Sequence, residues 1–262
     1  MPQQEGTANL VEIFSSVQGE GPHVGETTLF VRFGECDLRC RWCDSPHTWR
    51  RAAHCRIEVE RGTGRSETLA NPVALSRALA ACEALGLREH RFASLTGGEP
   101  LLQPGAVRQL AAEIRARGPR VLLETHGALA EALASVVDQV DVVSMDWKLA
   151  SDVRRASERR GREPAPFHGE HERFLRVAVG APEVVIKVVV TPASRDEELD
   201  EMAQRIASVD PGLLLVVQPV TPCGPVAAAP SAERLLALVA RLSRTLDRVR
   251  LIPQTHKLLG AP

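Results

Sequence analysis

An α/β fold built on a mainly parallel sheet follows from three features of the sequence. Short β-branched runs alternate with amphipathic helical runs along the chain, the pattern of repeated strand–helix–strand units. The apolar runs, of which VVIKVVV at 184–190 is the clearest, lack polar alternation apart from Lys187, as strands covered on both faces do. Residues able to do chemistry recur just after these runs, where ligands bind in parallel sheets. A closed eightfold barrel needs two more βα units than the pattern contains, so an open or partial barrel of about six strands with flanking helices is expected.

The elements can be justified in order. Strands are expected at 28–33, 90–95, 120–124, 140–146, 184–190 and 213–218. The first runs into GECDLRCRWCDS, residues 34–45, with three of the six cysteines. Stretch 51–68 is polar, charged and without a clear period, and reads as a surface insertion. A helix is expected from Asn71, as N-cap, with Pro72 at its first position. Ser194 with Glu197 forms a capping box for a second, and Ser231 precedes a third. Four further segments follow strands: Thr96-Gly97-Gly98-Glu99-Pro100, Thr125-His126-Gly127, Asp146-Trp147-Lys148, and Gln218 to Thr221. All are expected on one rim.

Bulk properties exclude several classes of function. Of 262 residues 44% are hydrophobic and 25% charged, enough for a sizeable core and unlike a disordered chain. One domain over 1–262 is expected, since no Gly/Ser-rich linker divides it. The net charge of −1 provides no global field for nucleic acid or an anionic membrane. Neither a signal peptide nor an apolar run of membrane-spanning length is present, so a cytoplasmic protein with a small-molecule ligand is expected. In a reducing compartment clustered cysteines hold metal or do chemistry. Only Lys148, Lys187 and Lys257 break an otherwise all-arginine set of cations, and a site can require an ammonium where a guanidinium would not serve.

The spacing C-x3-C-x2-C suits two metals. A structural zinc site would need a fourth ligand from His47, His54 or Cys55, and would make the chain a non-catalytic binding module. A cubane iron–sulfur cluster on three thiolates would leave one iron open to an exogenous chelator.

Cys36, Cys40 and Cys43, with Trp42 just before the last, resemble the signature of the radical S-adenosylmethionine enzymes, and TGGEP resembles that family's GGE element. The resemblance implies a partial (β/α)6 barrel, a 4Fe-4S cluster on the three cysteines, and S-adenosylmethionine chelating the open iron. One-electron reduction of the sulfonium then yields a 5'-deoxyadenosyl radical. Two adjacent glycines suit a backbone that must approach a ligand closely. A glycyl-radical activase shares the cluster loop but takes a protein as substrate.

The run FSSVQGEGPHVGETTLFVRFGECDLRCRWCDS and the ending PQTHKLLGAP are similar, more narrowly, to the 7-carboxy-7-deazaguanine synthases. That likeness implies conversion of 6-carboxy-5,6,7,8-tetrahydropterin to 7-carboxy-7-deazaguanine with loss of ammonia, for queuosine or another 7-deazapurine. It implies a homodimer, a flavodoxin or ferredoxin as electron donor, and Mg2+ on Ser45, where the family usually has threonine. Substrate contacts carry over to Val17, Gln18, Gly19, Glu20, Arg32, Thr96, His256 and the terminal carboxylate of Pro262. A pterin edge needs acceptors as well as a donor, and its carboxylate suits bidentate Arg32. Cofactor contacts carry over to Trp42, Cys43, Asp44, Gly98, Glu124, Ser144, Asp146, Lys148, Gln218, Pro219, Val220 and Thr221. The family often reads Ser-Pro-Lys where this chain has Ser144-Met-Asp-Trp-Lys148, which leaves open which of Ser144, Asp146 and Lys148 touches the cofactor. Cys55, Cys82 and Cys223 are expected to be structural.

Overall fold

The computed structural model describes residues 6–159 and 161–260. Its centre is a ten-stranded sheet: β1 (Leu10–Val17), β2 (Thr27–Phe33), β3 (His54–Glu58), β4 (Ser66–Ala70), β5 (Phe92–Gly97), β6 (Arg120–Thr125), β7 (Val142–Asp146), β8 (Glu183–Val190), β9 (Leu214–Pro219) and β10 (Arg248–Leu251). The spatial order is β10-β9-β8-β7-β6-β5-β2-β1-β3-β4. Every neighbouring pair from β2 to β10 is parallel, while β1 runs antiparallel to β2. The sheet is open, with β10 and β4 as its edges. All six expected strands are present.

Helices α1 (Leu75–Ala84), α2 (Pro104–Arg115), α3 (Ala130–Ala134), α4 (His168–Ala178), α5 (Asp196–Val209) and α6 (Ala232–Leu242) cover the sheet, and a short α7 (Thr255–Leu259) follows β10. Each longer helix buries one stripe. In α2 it is Ala106, Val107, Leu110, Ala111 and Ile114, a spacing that keeps these residues on one side of a 3.6-residue period. Their partners are strand residues such as Val121, Leu123, Leu95 and Phe33, all in one core cluster. Burying each such Leu, Val or Phe contributes roughly 1.5–3 kcal/mol.

Three local expectations change. Segment 51–68 is not irregular: β3 and β4 form a hairpin on the sheet edge, with Cys55 and Ile57 turned into the core. The helix after Asn71 starts only at Leu75, because the Asn71 amide bonds both backbone groups of Leu10, at 3.0 and 2.7 Å, and so stitches this turn to β1. Ser194 does not cap α5, since its hydroxyl donates to Asp152 at 2.9 Å and accepts from the Thr191 amide at 2.9 Å. Helix α5 instead opens with Asp196, Glu197 and Glu198, favourable charges at a helix amino end. The third expected cap holds: Ser231 accepts from the Arg234 amide at 3.2 Å.

Candidate active site

The carboxyl ends of β2 and β5 to β9 share one rim, and a cavity of about 460 Å3 opens there. Cys36, Cys40 and Cys43 border it. Their loop is held in shape by its own backbone. Residues Leu38–Cys40 pair antiparallel with Val153–Arg155, and Arg39 reaches back to the carbonyls of Cys36 and Leu38 at 2.8 and 2.7 Å. Gly97 and Gly98 lock the loop down from β5. The Gly98 amide donates to the Phe33 carbonyl at 2.9 Å and that of Glu99 to the Glu35 carbonyl at 2.8 Å. A Cβ on Gly97 (φ +137°) would strike the Phe33 backbone, and one on Gly98 the Glu35 carbonyl. These glycines therefore permit close approach to the cysteine loop itself, a tighter constraint than approach to a ligand.

Burial pushes the Cys36 thiol up to about 12 and the Cys40 thiol to about 11, and raises Cys43 as well. Thiols so placed stay protonated until a cation replaces the proton. Among the described residues no three His, Cys, Asp or Glu side chains are placed to hold a single metal ion between them. A cluster binds each thiolate at a different iron, so its ligands need only face a common cavity.

Beneath the cysteines runs a row of alternating charges. Glu20 pairs with Lys187 and also accepts from the side-chain amides of Gln254 at 2.7 Å and Gln218 at 3.3 Å. Lys187 lies 3.3 Å from Asp146 Oδ1, and Lys148 donates to Asp146 Oδ2 at 2.9 Å. The Lys148 ammonium then sits 4.6 Å from the centre of the Trp42 ring. Burial opposes the charges of Asp146, Lys148 and Lys187, yet the two lysines hold the Asp146 carboxyl below its usual range, and the carboxylates facing them hold Lys187 and Lys148 above theirs. β-register places the charges: Asp146 and Lys187 are direct partners on β7 and β8.

On the opposite wall Glu124 accepts from Gln18 at 3.0 Å, Ser94 at 2.7 Å and Thr96 at 3.2 Å. Gln18 in turn accepts from the Glu20 amide at 3.0 Å, which shapes the QGEG loop. Gly19 is needed because His256 packs where its Cβ would be, and Thr255 bonds the Gly19 carbonyl through its amide at 2.9 Å. Arg32 donates from Nε to Glu12 at 2.8 Å, which fixes its guanidinium at the cavity wall. Ser45 donates to Asp44 at 2.9 Å, and Lys257 lies 3.2 Å from the other Asp44 oxygen. Burial raises the Asp44 carboxyl, but Lys257 and the Ser45 hydroxyl bring it below its usual value.

Of the residues singled out in the sequence, Val17, Gln18, Gly19, Glu20, Arg32, Thr96 and His256 line the cavity, as do Trp42, Asp44, Ser45, Gly98, Glu124, Ser144, Asp146, Lys148, Gln218, Val220 and Thr221. Pro219 does not, because it ends β9 and only its neighbours turn inward. Pro262 lies outside the described residues. Lining residues with no role assigned from the sequence include Lys187, Gln254, Lys257 and His126. The rarity of lysine was the available signal for two of them. His126 is raised despite burial because Glu99 and Asp37 face it, the latter at 2.8 Å.

The donor set suits the group expected there. Three thiols meet a cavity in whose lining Gln218 Oε1 and, beside the cysteines, Trp42 Nε1 are buried polar atoms without a partner among the described residues. Such orphans call for a ligand with complementary polar groups. Fold and site together define a radical S-adenosylmethionine protein, and the model of the Radical SAM superfamily matches residues 31–206.

Relatives narrow this further. The chain is 36% identical over 258 residues to the 7-carboxy-7-deazaguanine synthase of Geobacter sulfurreducens, covering 97% of each chain. It is 37% identical to that of Methanopyrus kandleri, covering 96% of this chain and 93% of the other. The crystal structure of QueE from Escherichia coli superposes with a TM-score of 0.61 over 95% of both chains at 20% identity. The chain belongs to the 7-carboxy-7-deazaguanine synthase family. It is thus a radical S-adenosylmethionine lyase with a 4Fe-4S cluster and S-adenosylmethionine as cofactors, and neither a zinc module nor a glycyl-radical activase.

Proposed function

We propose that this cavity contracts the pyrazine ring of 6-carboxy-5,6,7,8-tetrahydropterin to give 7-carboxy-7-deazaguanine with loss of ammonia, a step toward queuosine or another 7-deazapurine. The observation that carries the reading is the QGEG loop, fixed opposite the three thiols by Lys187, Gln218, Gln254 and Glu124. Glu20 and Gln18 there offer acceptors and a donor to a pterin edge, Arg32 a cation to its carboxylate, and His256 a wall. Thr96 and Val17 complete that subsite.

Cys36, Cys40 and Cys43 would hold the cluster. Trp42, Gly98, Ser144, Asp146, Lys148, Gln218, Val220 and Thr221 would hold S-adenosylmethionine, with Asp44 and Glu124 behind them. When bound, these cofactors supply reductive cleavage of a sulfonium and a carbon radical that abstracts hydrogen. The chain's part is position and exclusion of water. The Gln218 oxygen lacks a partner among the described residues and is available to a ligand amine or hydroxyl. Ser45 presents a hard oxygen suited to Mg2+, with Asp44 as its acceptor. The enzyme works as a homodimer in the cytoplasm and takes electrons from a flavodoxin or ferredoxin. No helix among the described residues is long and apolar enough to cross a membrane.

Anaerobic incubation of the reconstituted enzyme with the carboxypterin, S-adenosylmethionine, Mg2+ and dithionite should yield 7-carboxy-7-deazaguanine, identified by mass and ultraviolet spectrum. Accumulation of 5'-deoxyadenosine with the pterin unchanged would reject this substrate. Sedimentation velocity checks the dimer.

A further inference from the structure

The ribbon that carries Cys40 has a second face, turned away from the active-site cavity. Residues alternate along a strand, so Arg39 and Arg41 project opposite to Leu38 and Cys40. The inner face is apolar: Leu38, Val153 and Phe167 form a cluster against which Cys36, Cys40 and Trp42 pack. On the outer side lies a separate depression of about 530 Å3, lined by Arg39, Arg41, Arg154 and Arg195, with Asp152 and Glu163 in its lining and Glu198 beside Arg195 to oppose them.

Two of these charges are uncompensated. Arg39 and Arg154 are direct cross-strand partners, an arrangement of like charges that weakens an antiparallel pair. Arg39 bonds the carbonyls of Cys36 and Leu38 and stacks over Trp49 at 4.8 Å, while Arg154 bonds the Arg162 carbonyl at 3.2 Å. Among the described residues neither meets a carboxylate. The other two are tied, Arg41 to buried Asp152 at 3.6 Å and Arg195 to Glu163 at 3.0 Å and Glu198 at 3.2 Å. On a chain whose net charge is −1 this is a local positive excess, with Arg39 next to Cys40 on the same strand.

We propose that this arginine-lined depression docks an acidic one-electron carrier protein and passes its electron through the Arg39-Cys40-Arg41 segment. The proposal rests on the cluster assignment made above. In the step the carrier is oxidised by one electron and the cluster on Cys36, Cys40 and Cys43 is reduced by one; no proton or bond is exchanged. Charge complementarity selects the carrier, and it accelerates encounter at low ionic strength. The path from the depression to Cys40 Sγ is one residue's backbone and side chain, with no loop between.

The test separates docking from cluster chemistry by changing the reductant. In Arg154→Glu combined with Arg41→Gln, the new Glu faces Arg39 across the ribbon, which favours the fold, and Asp152 keeps its bonds from Thr191 and Ser194 at 2.9 Å. Two readouts use a reduced flavodoxin as probe: its affinity for the reconstituted enzyme by fluorescence anisotropy, and stopped-flow bleaching of the cluster. Each should weaken about tenfold or more at low salt, and lose most of its ionic-strength dependence. Cleavage of S-adenosylmethionine driven by dithionite should stay within about twofold of the parent. Arg88→Glu combined with Arg91→Gln, an equal charge change at two exposed positions ahead of the amino end of β5, should alter neither.

Unchanged flavodoxin binding and bleaching in the double variant would overturn the proposal. So would an equal loss with dithionite, because the arginines would then act on the cluster's surroundings rather than on a partner. None of these readouts involves the pterin. A failure of the substrate assignment would appear separately, as absent product under dithionite.

Discussion

Replacing Lys187 with methionine keeps the length of the side chain and removes the cation that joins Glu20 to Asp146. Removing one partner of a buried pair typically costs about 3–5 kcal/mol, since the other charge is stranded. Here Asp146 keeps Lys148 at 2.9 Å, and Glu20 keeps two amide donors with its side chain 20% exposed. The lower end, about 3 kcal/mol, is therefore expected. Adding Glu20→Gln to Lys187→Met restores neutrality and should recover about half of that loss, a coupling that a double-mutant cycle isolates. The pH dependence has a definite sign. In the parent, the contribution of Asp146, whose pKa is depressed, is present above the ordinary carboxyl range near ~3.9 and disappears as pH falls through its lowered value. That of Lys187, whose pKa is raised, is present below ~10.4 and disappears as pH rises through the raised value. Between these limits the parent's contribution is flat. In the variant the stranded carboxylate is relieved by protonation, so the deficit should be larger at pH 8 than at pH 5.5. Guanidinium unfolding of cluster-free protein, followed by tryptophan fluorescence, measures it at both. A deficit below about 1 kcal/mol, equal at the two pH values, would refute the reasoning.

Alanine at Cys36, Cys40 or Cys43 should each abolish the cluster on anaerobic reconstitution, whereas alanine at Cys55, Cys82 or Cys223 should leave iron and sulfide content intact. Ser45→Ala should weaken Mg2+ activation several-fold without changing iron content, and Ser45→Thr should preserve it; a titration of turnover against Mg2+ distinguishes them. Gly19→Ala forces its methyl into His256 and separates the 254–257 segment from the QGEG loop. Its kcat/KM for the carboxypterin should fall about tenfold or more while uncoupled cleavage of S-adenosylmethionine persists, because bonds worth about 1.5–3 kcal/mol to charged groups are displaced.

How much of this was legible in the sequence varied with the range of the interactions. The six parallel strands declared themselves because each is covered on both faces and so forms a continuous apolar run, and their order alone put the cysteine loop and TGGEP on one rim. Strand β1 was missed: LVEIFSSV buries Leu10, Ile13 and Ser15 but leaves Val11, Glu12 and Phe14 half-covered between them, a pattern without clean alternation that breaks at the register shift between Leu10 and Glu12. The β3–β4 hairpin was missed because only Cys55 and the 57–58 pair turn inward. Asn71 and Ser194 carry local capping signals that distant partners overrode, namely Leu10 and Asp152. Lys187 stood out by rarity and as the one polar residue of its run, but its partner Glu20 is 167 positions away. Gln254, 234 positions from the same carboxylate, had no signal at all.

The row of Glu20, Lys187, Asp146 and Lys148 alternates in sign and sums to zero. Its potential therefore has no monopole part and decays with distance faster than that of a single charge. An approaching ligand is not steered by it from bulk solvent, and added salt has little to screen. At contact the field reverses from one side chain to the next, so a donor displaced by one residue's width meets repulsion where it should meet attraction. The cavity thus selects by local polarity pattern rather than by total charge, which lets it accept an anionic pterin and a cationic sulfonium side by side without favouring stray ions of either sign.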